Sequence, residues 1–227
     1  MAYFPFIIFL QIQFLLQGGG NYLTQPKFKT LAEFSSTFLQ PLKTNYTMML
    51  VSSRRLELIA LNHEQLLLLS QGYNTLERSM GLTLSAFELN APDSFLQEFF
   101  TMIPGYMIPN VNAHTEHAPW YSHWIMVERS SRLIVGGIGA NGLPDGEGQA
   151  MIGYFVDKKS EGKGYATEAV RCFANWIFTH PGAKAIVADT LVEGLGSQRV
   201  LQKAGFVLAG ETEEGLRCEL KRPGSCC

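Results

Sequence analysis

The sequence predicts a mixed α/β domain, a mostly antiparallel sheet with helices on both faces, and three observations carry that prediction. First, the strand-like run Met151-Ile152-Gly153-Tyr154-Phe155-Val156 feeds through a glycine-bearing turn into a helix whose apolar residues Ala169, Val170, Phe173, Ala174 and Ile177 recur at helical spacing. Second, apolar runs at 124–128 and 133–138 flank Arg129-Ser130-Ser131-Arg132 and read as a hairpin. Third, residues 206–210 and 216–221 read as a closing strand pair.

The remaining elements follow in chain order. Residues 56–61 read as a strand, and Asn62, with Gln65 three positions on, is a capping-box signal for a helix running through Leu66 to Leu69. Asp93 is placed to cap a second helix carrying Phe95, Leu96, Phe99 and Phe100, which should end before Pro104. The stretch Asn141-Gly142-Leu143-Pro144-Asp145-Gly146-Glu147-Gly148 is a loop by its turn residues and returns the chain to a strand at Ala150. Residues 184–189 give the next strand and 197–204 a helix. No internal repeat is apparent.

Composition narrows the function classes. With 46% hydrophobic residues the 227-residue chain can fill a sizeable core. Eighteen basic against twenty acidic residues, a net charge of −2 and no basic cluster argue against a nucleic-acid partner. Four cysteines, two of them adjacent as Cys226-Cys227, do not form a disulfide framework and fit reduced thiols in the cytoplasm. Residues 1–47 read as a separate apolar extension, with the domain proper spanning 48–227. Residues 3–16 are apolar apart from Gln11 and Gln13, but no Lys or Arg precedes Lys27, and the run is short for a bilayer span. A membrane-associated protein using residues 3–16 is therefore a rival reading, not the expected one.

The turn Glu161-Gly162-Lys163-Gly164-Tyr165-Ala166-Thr167 carries the chemistry. Unpaired backbone N–H groups and the positive end of the macrodipole meet at a helix start, and glycine lets an anion approach. The spacing rejects the phosphate loop of nucleotide hydrolases, since Gly164 follows Lys163 and no glycine stands at 157. It also rejects the dinucleotide fingerprint, which wants Gly or Ala at 167, where Thr167 stands. The pattern (Arg/Gln)-x-x-Gly-x-Ala is met by Gly164 and Ala166.

On these residues the chain resembles the GNAT acyltransferase superfamily. Ile152-Gly153-Tyr154 followed by Gly162-Lys163-Gly164-Tyr165-Ala166-Thr167-Glu168-Ala169, the segment Ser197-Gln198-Arg199-Val200-Leu201-Gln202-Lys203-Ala204-Gly205-Phe206, and Ser53-Arg54-Arg55-Leu56-Glu57-Leu58 are similar to its ribosomal-protein N-acetyltransferase-like branch. The resemblance covers about residues 48–222 and implies the GNAT acyl-CoA transferase fold with acetyl-CoA as cosubstrate. By it, Tyr154, Phe155 and Val156 hold the coenzyme arm through their backbone, and Gly162, Lys163, Gly164, Tyr165, Ala166 and Thr167 hold the pyrophosphate. Ser197 lies near the coenzyme sulfur, where it would protonate the leaving thiolate; an N-cap is its competing reading. Three positions depart from the pattern: Glu161 replaces Arg or Gln, Met151 stands where a glutamate base often stands, and no asparagine precedes the Ser197 segment.

With Met151 unable to act as a base, the candidates are His117 and His123. The cluster His114, Glu116, His117 and His123 does not match His-Glu-x-x-His, so no metal is expected. Trp120 and Tyr121 either wall an acceptor pocket or belong to the core, and Cys172 reads as a small buried side chain. The expected activity is transfer of an acetyl group from acetyl-CoA to a primary amine, on a protein N-terminus or a small metabolite, by direct attack in a ternary complex. The alternative is an acyl-CoA-binding module impaired in catalysis. Acceptor identity, the base and the oligomeric state stay open at this level.

Overall fold

The structure is a computed structural model that describes residues 49–213 and 215–224. The apolar extension expected at 1–47 and the pair Cys226-Cys227 lie outside the described residues. Eight strands form one sheet: β1 (Leu50–Ser52), β2 (Leu56–Ala60), β3 (Trp124–Glu128), β4 (Leu133–Ala140), β5 (Gln149–Val156), β6 (Ala185–Thr190), β7 (Val207–Thr212) and β8 (Gly215–Lys221). Their order is β1-β2-β3-β4-β5-β6-β8-β7, and every neighbouring pair is antiparallel except β5 with β6. The mixed, mostly antiparallel sheet expected from the sequence is thus present.

Period-2 alternation places the two cores. Along β3, Trp124 and Met126 face one side while Ile125 and Val127 face the other, and all four are buried. On the first side lies α6 (Tyr165–Ile177), whose Ala169, Val170, Phe173, Ala174 and Ile177 pack against the sheet at the spacing read from the sequence. On the second side lie α1 (His63–Leu69), α2 (Tyr73–Ser79), α3 (Asp93–Met102) and α4 (Ile108–Ala113), contributing Leu66, Leu76, Phe99 and Val111. The short α5 (Ala118–Tyr121) leads into β3, and α7 (Leu195–Ala204) packs on α6.

Local chemistry explains the boundaries. Asn62 and Gln65 form the reciprocal capping box that the sequence indicates: the Gln65 N–H donates to Asn62 Oδ1 and the Asn62 N–H to Gln65 Oε1, both at 2.9 Å. The second helix differs from expectation, because Pro92 holds the N-cap position and Asp93 is its first helical residue. Pro104 does not end helical structure either. The chain widens over Ile103–Met107 into a π turn, closed by the Ile108 N–H on the Ile103 carbonyl, and resumes as α4. A proline lacks the N–H that a regular ladder needs there, and the wider turn absorbs the fault. In β4, Gly137 leaves room for the His123 ring; a Cβ at that position would lie within the volume of the imidazole and against Phe155.

Candidate active site

The site is created where two parallel strands part. β5 and β6 pair only over Gln149↔Ala185, Ala150↔Ile186 and Met151↔Val187. β5 then continues to Val156 along β4, and β6 continues to Thr190 along β8. The backbone parity of β5 is set by two bonds: the Asn141 N–H donates to the Met151 carbonyl (3.0 Å) and the Asp157 N–H to the Val135 carbonyl (2.9 Å). Odd-numbered residues from Met151 to Asp157 therefore hydrogen-bond toward β4, and the backbone groups of Tyr154 and Val156, beyond the last pair with β6, face the opening. Such edge groups are open to water or to a ligand.

A cavity of about 230 Å³ runs from this opening to the start of α6. Tyr154, Phe155, Val156, Gly162, Gly164, Tyr165, Ala166, Thr167 and Ser197 all line it, so nine of the ten residues expected around the coenzyme converge on one space. Lys163 is exposed and not on the wall. Gly162 (φ 71°) and Gly164 (φ 80°) adopt left-handed backbone, which side-chain-bearing residues enter at a cost. Gly164 is the N-cap of α6, and its carbonyl accepts from Glu168 N–H at 3.2 Å. The N–H groups of Tyr165, Ala166 and Thr167 thus have no acceptor within the helix, the arrangement that suits an anion. Exposed Arg199 and Lys203 on α7 also line the cavity and add positive charge.

Glu161 does not turn to solvent. It lines the cavity, its carboxyl is raised by burial against the lowering effect of an Asn90 hydrogen bond, and its charge opposes an anionic ligand. At the other end Ser197 is buried, and its competing reading as an N-cap fails because α7 begins two residues earlier, with Gly194 as N-cap. Its hydroxyl pairs instead with the Tyr154 hydroxyl at 2.9 Å, and the same Tyr154 O–H lies 3.2 Å from the Ser197 carbonyl. Burial raises the Tyr154 phenol well above its ordinary value, so the pair stays protonated. The phenol is the functional group that sequence reading missed, since a contact spanning forty-three positions leaves no local pattern.

The two histidines part company. His117 sits exposed on a single 3-10 turn, Thr115–His117, and lines neither the large cavity nor the smaller one beside it. His123 is buried, stacked on Phe155 at 5.5 Å between centroids and with Nε2 3.4 Å from the Tyr73 hydroxyl. Burial pushes its pKa down to about 3, so the ring is neutral at ordinary pH. His123 lines a small cavity of about 40 Å³ with Tyr106, Tyr121, Gly139, Gly153 and Phe155, on the sheet face that carries α1 to α4. Tyr121 stacks on His114 at 4.5 Å, whereas Trp120 is core, packed on Trp176. Cys172 is half-buried with its thiol raised by burial, which disfavours the thiolate. Among the described residues no group of His, Cys, Asp and Glu is arranged to hold a metal, and no helix is long and apolar enough to cross a membrane.

Comparison with known proteins bears on the same region. A relative in Bacillus subtilis (strain 168), named uncharacterized N-acetyltransferase YjdG, is 32% identical over 117 residues, covering 52% of this chain and 68% of that protein. Among solved structures, the ribosomal-protein-S5-alanine acetyltransferase of Vibrio fischeri superposes with a TM-score of 0.54 at 16% identity, covering 79% of this chain and all of that one. RimL, a ribosomal L7/L12 α-N-protein acetyltransferase solved with coenzyme A, superposes with a TM-score of 0.54 at 17% identity, covering 76% and 98% of the two chains. At such identities the structural likeness establishes the fold. The family profile described as the acetyltransferase (GNAT) domain matches residues 82–207, more than half of the chain and the whole course from α3 to the first residue of β7, so the chain belongs to the GNAT acetyltransferase family.

Proposed function

We propose that this protein transfers an acetyl group from acetyl-CoA to a primary amine. The observation that carries the reading is the cavity opened by the parting of β5 and β6, apolar along the strands and ending on the glycine turn at the start of α6. The apolar slot suits a pantetheine arm, with backbone groups of Tyr154 and Val156 to pair with its amides. The turn suits a pyrophosphate. Acetyl-CoA supplies a thioester whose carbonyl carbon accepts the amine nitrogen as the carbon–sulfur bond breaks; the amine gives up one proton, the thiolate gains one, and any proton lent by a donor is thereby restored. Ser197, whose hydroxyl pairs with that of Tyr154 on the cavity wall, is our candidate donor to the departing thiolate, and no covalent bond to the protein is required.

The acceptor reading follows from basicity. Met151 carries no base, His117 lines neither cavity, and His123, which lines the smaller one, is a weak base because burial holds its pKa at about 3. An α-amino group, with a pKa near ~8, is substantially neutral at working pH, whereas a lysine near ~10 would need help. We therefore favour a protein N-terminus, or a small amine of like basicity, over a lysine side chain. RimL and the Vibrio fischeri enzyme, by their names, act on protein α-amines, which agrees with this reading. A cytoplasmic setting is part of the proposal, in keeping with the unpaired thiols of Cys172 and Cys218.

The test is a thiol-release screen with acetyl-CoA across peptides with unblocked N-termini, Nα-blocked lysine peptides and small amines. Release with unblocked N-termini or small amines of low pKa is expected. Coenzyme binding with no release across the panel would identify a binding module instead.

A further inference from the structure

The Arg55 side chain spans from the β1–β2 connection to the glycine turn, and it lies outside the segment matched by the family profile. Its Nε donates to Glu168 Oε2 at 2.7 Å, and its Nη1 donates to the Lys163 carbonyl at 3.0 Å. Its guanidinium also stands 4.6 Å over the ring of Tyr165, the first residue of α6. The other Glu168 oxygen accepts from the Arg55 N–H and from Ser53 Oγ, each at 2.7 Å. Burial alone would raise the Glu168 carboxyl, but these donors outweigh it and hold it below the usual range. Five interactions thus tie one short connection to one turn, with the Glu168 side chain only 18% exposed.

The bond to the Lys163 carbonyl has a directional consequence. In a trans peptide the C=O and the following N–H point in opposite directions, and the unit is rigid. Anchoring the Lys163 carbonyl on Arg55 therefore aims the Gly164 N–H away from Arg55. Arg55 borders a groove on one side of the turn together with Glu168 and Arg171, whereas Gly164 borders both that groove and the coenzyme cavity. The freed direction is the cavity. Gly164 is also the residue least able to hold this peptide plane unaided, because glycine at φ 80° has the widest choice of backbone conformations.

We propose that Arg55 is a positioning residue for coenzyme binding, fixing the Lys163–Gly164 peptide so that its N–H joins the first-turn donors of α6 around the pyrophosphate. This rests on reading the glycine turn as the pyrophosphate site. Arginine is required because its fork reaches a carboxylate and a carbonyl at once, which a lysine ammonium on a flexible stem does not do with the same fixed geometry.

The experiment compares acetyl-CoA with S-acetylpantetheine, which has the same thioester arm and no phosphates, in the wild-type protein and in Arg55→Gln and Arg55→Lys, with melting temperatures measured alongside. The wild-type KM should be far lower for acetyl-CoA. In both variants the KM for acetyl-CoA should rise about tenfold while that for S-acetylpantetheine stays within about twofold. A wild-type protein indifferent to the phosphates would overturn the reading of the turn itself. A wild-type preference that persists undiminished in Arg55→Gln, or is fully restored in Arg55→Lys, would overturn the role of Arg55 alone. Equal losses with both thioesters, accompanied by a lower melting temperature, would reduce Arg55 to a structural residue and also overturn the proposal.

Discussion

Ser197 and Glu161 make opposite contributions at the two ends of the cavity, and each can be isolated by one substitution. A donor to the leaving thiolate acts as the bond breaks, so Ser197→Ala should lower kcat about a hundredfold while the KM for acetyl-CoA changes little. Because Gly194 and not Ser197 holds the N-cap position, the stability loss should be confined to one hydrogen bond, ~1 kcal/mol, with the Tyr154 phenol keeping the Ser197 carbonyl 3.2 Å away. Steady-state kinetics beside a melting curve separate these effects, and unchanged kcat would leave Ser197 as packing only. Glu161 is the reverse case. Glu161 lines the cavity beside the turn proposed for the pyrophosphate, and Asn90 can bond an amide as well as an acid. Glu161→Gln should therefore tighten coenzyme binding by about threefold at neutral pH, an effect that shrinks in high salt. Titration calorimetry at two ionic strengths checks both statements.

Among the elements, the strand–turn–helix unit of β5 and α6 carries the most function and was the most legible in the sequence. Its signals are local: an apolar run, two glycines, then apolar residues three and four apart. Gly164→Val tests it. The added Cβ would meet nothing in the protein closer than Arg55 Nη2 at 3.6 Å, so the core is spared. A β-branched residue at φ 80°, however, is strained and would shift the peptide that faces the ligand. Coenzyme affinity should fall by at least about tenfold in a protein that still folds, as read by calorimetry and circular dichroism. The helical layer on the opposite face was far less legible. Pro104 read as a stop, yet a π turn accommodates it and the chain resumes as α4. Ser197 read as a cap because a serine near a helix start usually is one, and only the tertiary approach of Tyr154 reveals its partner. The position of His123 under Gly137 was equally hidden, since strand parity gives a face but not a depth.

For the molecule as a whole, acid stability should depend on His123. Its pKa is ~6.5 in the unfolded chain but about 3 when buried, so between those values the unfolded state binds a proton that the native state refuses. Stability should fall as pH drops through that window, with no contribution from this group above it. His123→Gln keeps a partner for Tyr73 and cannot titrate. Urea midpoints at about pH 7.5 and about pH 4.5 should therefore differ less in the variant than in the wild type, and equal differences would contradict the argument. The parting strands have a further consequence, for cooperativity. Within the sheet, strands β1 to β5 and the group β6, β8 and β7 pair only over Gln149 to Met151 with Ala185 to Val187, the rest of their contact being the core beneath α6 and α7. A coenzyme arm paired with the edge of β5, as proposed above, would add a ninth strand beside that short seam and stabilise it. Amide exchange at Tyr154 and Val156 should then slow on coenzyme binding in step with amides of β6 that the ligand never touches, and the melting temperature should rise with coenzyme concentration.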